Sequence, residues 1–91
     1  MEQEIQTINK GKQIGKITHY FSKIGVAVLE LSDSLNVGDD IVVATHGGDF
    51  EQNVDSMQVE HEQVTAAKAG DAVGLKVASP VKEGNLVYLK G

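Results

Sequence analysis

Five glycine-bearing stretches cut this chain at short intervals: SKIG (22–25), NVGDD (36–40), HGGD (46–49), KAGD (68–71) and KEGN (82–85). A glycine reaches positive φ without steric cost, so each stretch reads as a tight turn. The segments between them are short and carry a period of two. IGKITHYF (14–21) places Ile17, His19 and Phe21 on one face, and GVAVLEL (25–31) is β-branched and almost continuously apolar. DIVVAT (40–45) and NLVYLK (85–90) read as strands. FEQNVDSMQVE (50–60) sets Met57 and Val59 against Gln58, and DAVGLKVA (71–78) sets Val73, Leu75 and Val77 against Gly74 and Lys76. Valine and isoleucine supply 18 of the 91 residues, which favours pleated, half-buried surfaces. Short strands with turn signals between them predict an all-β fold, a small antiparallel β-barrel, closed or partly open.

Ninety-one residues make one domain, since two cores do not fit. Residues 1–12 are expected to be an edge strand through Ile5 and Ile8 or a loose N-terminal segment. EHEQVTAAKAG (60–70) is expected to run strand-like through Val64 and then turn over Ala66 and Ala67; a short helix capped by Gly70 is the competing reading. The chain has no cysteine, so neither a disulfide nor a thiolate metal site is available. Its first 20 residues hold no apolar run, which predicts a cytoplasmic protein with no membrane partner.

The formal net charge is −5, unevenly spread. Residues 1–23 carry Lys10, Lys12, Lys16 and Lys23 against two acids; residues 24–67 carry nine acids and no lysine; the C-terminal part returns to lysine. Arginine, the residue best suited to bidentate phosphate and base recognition, is absent. The acidic centre reads either as a solubilising surface or as a field that steers a basic partner.

Taken together, GKITHYFSKIGVAVLEL, LNVGDDI, VDSMQVEHEQVTAAKAGDAVGLKV and VKEGNLVYL resemble the second, β-barrel domain of translational GTPases such as elongation factor Tu. The resemblance covers residues 14–90. It rests on a strand ending in Phe21, the turn Leu35–Asp39, the step Ser56-Met57-Gln58, the turn Ala67–Gly74 and the late turn Gly84–Val87. A barrel of this kind also serves as an accessory domain in RNA-modifying enzymes and collagenase-like peptidases. In elongation factor Tu the barrel face helps hold the aminoacylated end of transfer RNA, using two acids just before the phenylalanine and a glutamate on the central strand. The matching positions here are Thr18, His19 and Gln58, with Phe21 kept. The GTPase motor is missing: NKGKQIGK (9–16) has no Ser or Thr after Gly-Lys, so no nucleotide hydrolysis is expected.

The residues themselves allow two readings of this end of the chain. Lys12, Lys16 and Lys23 beside Tyr20 and Phe21 form a single-strand RNA signature of cations and stacking rings. Alternatively Phe21 is core and the lysines are solvation. Gly38, Gly70, Gly74 and Gly84 are expected to shape turns, with Asp39 and Asp71 accepting hydrogen bonds from backbone N–H groups two residues on. His46, Asp49 and His61 would form a metal site only if folding joined their loops, so no metal or other cofactor is expected. With no nucleophile–base pair to name, the chain is expected not to be an enzyme. The leading expectation is a binding module for RNA or a ribonucleoprotein. The alternative is a protein-interaction adaptor, an accessory barrel of an enzyme encoded separately, which calls for an exposed apolar patch and an open strand edge.

Overall fold

The computed structural model describes residues 10–90. Every regular element among them is a strand: β1 (Lys10–Phe21), β2 (Val26–Leu31), β3 (Leu35–Asn36), β4 (Asp40–Thr45), β5 (Gly48–Asn53), β6 (Met57–Val59), β7 (Glu62–Val64), β8 (Ala66–Ala67), β9 (Ala72–Lys76) and β10 (Leu86–Lys90). Among these residues no helix is long and apolar enough to cross a membrane. Eight strands form one sheet in the order β5-β4-β10-β1-β2-β9-β6-β7, and β3 pairs with β8 apart from it. All pairings are antiparallel. Residues 10–12 belong to β1, in the middle of this sheet and not at its edge, whereas Ile5 and Ile8 lie outside the described residues.

Three turns share one design. Asn36–Asp39, Lys68–Asp71 and Lys82–Asn85 each carry a glycine in third place, with φ of 99° at Gly38 and 94° at both Gly70 and Gly84. In each, the fourth residue returns its N–H to the first carbonyl at 3.0–3.1 Å. Its side chain also accepts the first residue's N–H: Asn36 N–H to Asp39 at 2.9 Å, Lys68 N–H to Asp71 at 3.0 Å and Lys82 N–H to Asn85 at 2.8 Å. The carboxylates therefore bind backwards, to a group three residues earlier, and not forwards. A side-chain acceptor closing a turn against a left-handed glycine defines where the next strand starts. Gly74 has no such role; it lies inside β9 without positive φ.

The region 60–70 differs from its expectation. Ala66 and Ala67 are not a turn: they pair with Asn36 and Leu35 as β8, and Leu35 is fully buried beneath them. Local sequence does not reveal this, because the partner strand lies about thirty residues away. The core is apolar and gathers residues from nearly every strand, among them Ile14, Ile17, Leu29, Leu35, Ile41, Met57, Val73 and Val87. Tyr20, Phe50, Val59, Val64 and Leu89 pack on it from positions of partial exposure.

The sheet does not close into a ladder-bonded barrel, because β5 and β7 remain its two ends. One side chain nevertheless spans the gap between β5 and the end of β9. Gln52 Nε2 donates to the Lys76 carbonyl at 2.8 Å, and the Ala78 N–H donates to Gln52 Oε1 at 2.8 Å. The amide of Gln52 thus presents one donor and one acceptor to the β9 backbone, as a peptide group of a neighbouring strand would. We expect Gln52→Ala to cost about 1–2 kcal/mol, since two backbone groups lose their partners. At this chain length that lowers Tm by about 5–15 °C. Hydrogen exchange at the Ala78 amide reads the same loss: an exchange rate unchanged by the substitution would show that the bridge contributes nothing.

Candidate functional site

A single extra residue decides what this surface presents. The β1–β2 register runs Gly15↔Leu31, Lys16↔Glu30 and Ile17↔Leu29, then jumps to His19↔Val28, Tyr20↔Ala27 and Phe21↔Val26. Thr18 is the bulged residue, and its hydroxyl donates to the Val28 carbonyl at 3.3 Å. A bulge reverses the alternation of every residue after it. Ile17 is buried, yet Phe21 is 46% exposed and Tyr20 packs on the core. Ile17, His19 and Phe21 therefore do not share a face, and Phe21 is not a core residue.

The outward row beyond the bulge is apolar. Phe21 stands opposite Val26, and His19 opposite Val28. Val28 in turn faces Gly74 on β9, and Gly74 faces Gln58 on β6. The His19 ring packs on Phe21 with centroids 4.4 Å apart, and its Nδ1 lies 3.5 Å from a Glu83 carboxylate oxygen. Ile24, 61% exposed, caps the row from the β1–β2 turn. Phe21, Ile24, Val26, Val28, Gly74 and Gln58, with Ala72, Glu60 and His61, line a groove of about 550 Å³, and His19 supports it by packing on Phe21 without lining it. β2 reads as continuously apolar because Ala27, Leu29 and Leu31 enter the core while Val26 and Val28 build this outer face.

Glu60 and His61 form the two-residue connection between β6 and β7, with φ of 53° and 68°. Two consecutive left-handed residues suit the hairpin twist, but the usual occupants are Asn and Gly. A side chain there costs roughly 1–2 kcal/mol per residue. Strain of this kind, stored beside a groove, marks a position where side chains are kept despite their conformational cost. The sequence held no turn signal at 60–61, so neither residue could be placed in the site from it. We expect the double substitution Glu60→Asn with His61→Gly to raise Tm by several degrees in thermal unfolding; a lowered Tm would mean that no strain is stored there.

The remaining candidate residues are dispersed. Lys12 pairs with Asp33, and Lys10 reaches Asp49 at 2.9 Å. Lys90 pairs with Glu51 at 3.1 Å. The terminal lysines thus answer part of the acidic centre, and the lysines of residues 10–23 do not gather into one free basic face. Lys16 is exposed on β1 across from Glu30, and Lys23 is exposed in the β1–β2 turn. Gln58 stands on the far wall of the groove from Phe21. His46 and His61 occupy different hairpin turns, and no three metal-ligating side chains come together among the described residues.

The hydrogen bond from Lys12, the Ser34 N–H and the Lys12 charge hold the Asp33 carboxyl below its usual range. The carboxylate of Asp49, first by its hydrogen bond and then by its charge, holds the Lys10 ammonium above its usual range. Because the folded pKa of Asp33 is depressed, its contribution to stability is complete above the unfolded aspartate value. It disappears as pH falls through the lower folded value. We therefore expect Asp33→Asn to lower Tm at neutral pH and the gap to wild type to close below about pH 4. A gap that persists at pH 2 would assign the effect to something other than this ion pair.

No family model matches the chain. Solved structures place its architecture first. It superposes on two crystal structures of the C-terminal domain of a candidate U32 peptidase of Geobacillus thermoleovorans, with TM-scores of 0.81 and 0.82 at 20% and 19% identity. The matches cover 86% and 88% of this chain, and 99% and 93% of those domains. The fold is thus that of a peptidase C-terminal domain. Among curated proteins, the chain is 40% identical over 78 residues to an uncharacterized protease of Methanocaldococcus jannaschii, spanning 85% of this chain and 19% of that protein. It is 32% identical over 77 residues to a collagenase of Porphyromonas gingivalis, spanning 82% of this chain and 21% of the collagenase. The chain therefore spans about a fifth of the length of the curated relatives it matches.

These likenesses overturn the resemblance to the second domain of translational GTPases, and with it the reading as a translation-related RNA-binding module. The physical reason lies in the motifs that carried the resemblance. LNVGD, KAGD and KEGN are one turn design used three times, and that design serves any small antiparallel sheet. The alternative, a protein-interaction adaptor that is the accessory barrel of an enzyme encoded separately, agrees better with the relatives.

Proposed function

We propose that this chain is a non-catalytic accessory β-domain of a peptidase-type enzyme, a protein-interaction module that docks on the part of the enzyme carrying the active site. The observation that carries the reading is the 40% identity over 78 residues to a protease of which those residues make up only 19%. Most of that relative lies outside the match, and on this reading the catalytic chemistry resides there. The shape agreement with an isolated peptidase C-terminal domain supports the accessory role. The exposed apolar row of Phe21, Ile24, Val26 and Val28, and the unpaired outer sides of β5 and β7, are features that an adaptor requires.

The test uses two purified components, the 91-residue chain and the Methanocaldococcus jannaschii protease lacking its matched segment. Size-exclusion chromatography with light scattering should show a one-to-one complex, and the chain alone should leave a quenched peptide library uncut. Peptide cleavage by the chain alone, or no complex at micromolar concentrations, would overturn the reading.

A further inference from the structure

The groove beside Phe21 has three features that together restrict its occupant. Its walls are apolar, from Phe21, Ile24, Val26 and Val28. Glu60 is its one acidic lining residue, held in the strained connection between β6 and β7. The groove also does not end at Gly74. A smaller cavity of about 200 Å³ shares Val26, Gln58 and Gly74 with it and continues to Ser56 and Lys76. This continuation exists because the β6–β9 ladder stops at the pair Gln58–Gly74. Gly74 has no side chain to divide the two cavities, and a Cβ built there would meet only Val26 Cγ1, at 3.9 Å.

We propose that this furrow binds an extended peptide segment, with an apolar side chain seated against Phe21 and Ile24 and an adjacent cationic side chain facing Glu60. The proposal rests on the accessory-domain reading and gives that domain a ligand: a stretch of the polypeptide on which the enzyme acts. A compact small molecule would fill the 550 Å³ groove and leave the continuation empty; an extended chain uses both. The Gln58 side-chain amide on the far wall offers a donor and an acceptor for the peptide backbone. The Glu60 carboxylate selects a cation over an anion at the neighbouring position.

The experiment titrates the isotopically labelled 91-residue chain with the tetrapeptide acetyl-Ala-Leu-Lys-Ala-amide, following amide resonances. Shifts should cluster at Phe21, Val28, Gly74 and His61, with a Kd on the order of a millimolar. Replacing the peptide's lysine by glutamine should weaken binding about threefold, the size of an exposed ion pair. Glu60→Gln should weaken the lysine peptide equally and leave the glutamine peptide unaffected. Phe21→Ala and Gly74→Val should abolish binding while the spectrum still shows a folded chain. Shifts absent from the furrow, or Glu60→Gln without effect on the lysine preference, would overturn the proposal. So would a chain that binds no peptide but loses its complex with the truncated protease on Phe21→Ala. That last outcome makes the furrow a docking face and leaves the accessory role standing. Peptide binding in the furrow without any complex supports the inference and removes the accessory reading.

Discussion

The Thr18 bulge is the constraint on which the functional surface depends. One unpaired residue in β1, tied to the Val28 carbonyl, turns Tyr20 onto the core and Phe21 outward. Without the register jump, strict alternation from the buried Ile17 would send His19 and Phe21 into the interior and leave Tyr20 outside. The outer row of Phe21, Val26 and Val28 would lose its aromatic wall. Bulges are common next to binding sites because they re-aim a side chain without breaking a sheet.

The rest of the architecture supports that surface through turns, one side-chain bridge and ion pairs between distant strands. Three turns of one design fix where β4, β9 and β10 begin. The Gln52 amide bridges the seam where the ladder leaves off. Ion pairs from Lys10 and Lys90 to Asp49 and Glu51 tie both terminal strands to β5. Exposed pairs of this kind add little stability individually. Their consequence here is electrostatic: they use cations that a nucleic-acid surface would have needed. The sheet face is left apolar with an acidic rim at Glu60, a combination suited to protein or peptide contact more than to phosphate.

The likeness to peptidase and collagenase chains agrees with this surface. The matched segment makes up about a fifth of those proteins, and the accessory role proposed for it is to position a substrate or steady a neighbouring domain. The strained Glu60–His61 connection is consistent with that role, since a hairpin selected for stability alone would carry Asn-Gly there.

The sequence by itself determined the all-β class, the approximate extent of β1, β2, β4, β9 and β10, and the glycines of three turns. Those features are local: period-two alternation, β-branched residues and left-handed glycines act over a few neighbours. The tertiary structure decided the face on which Phe21 lies, the pairing of Ala66 and Ala67 with Leu35 and Asn36, the lysine–acid pairs between the chain's ends and its centre, and the groove itself. Each of these depends on register between segments far apart in the chain. A one-residue shift in register exchanges inside for outside, and no local pattern in residues 14–21 records it. Phe21 and Gln58 were candidate binding residues from the sequence, and the apolar run Val26–Leu29 of β2 was a further legible sign of the site, because a strand buried on a single face would have alternated.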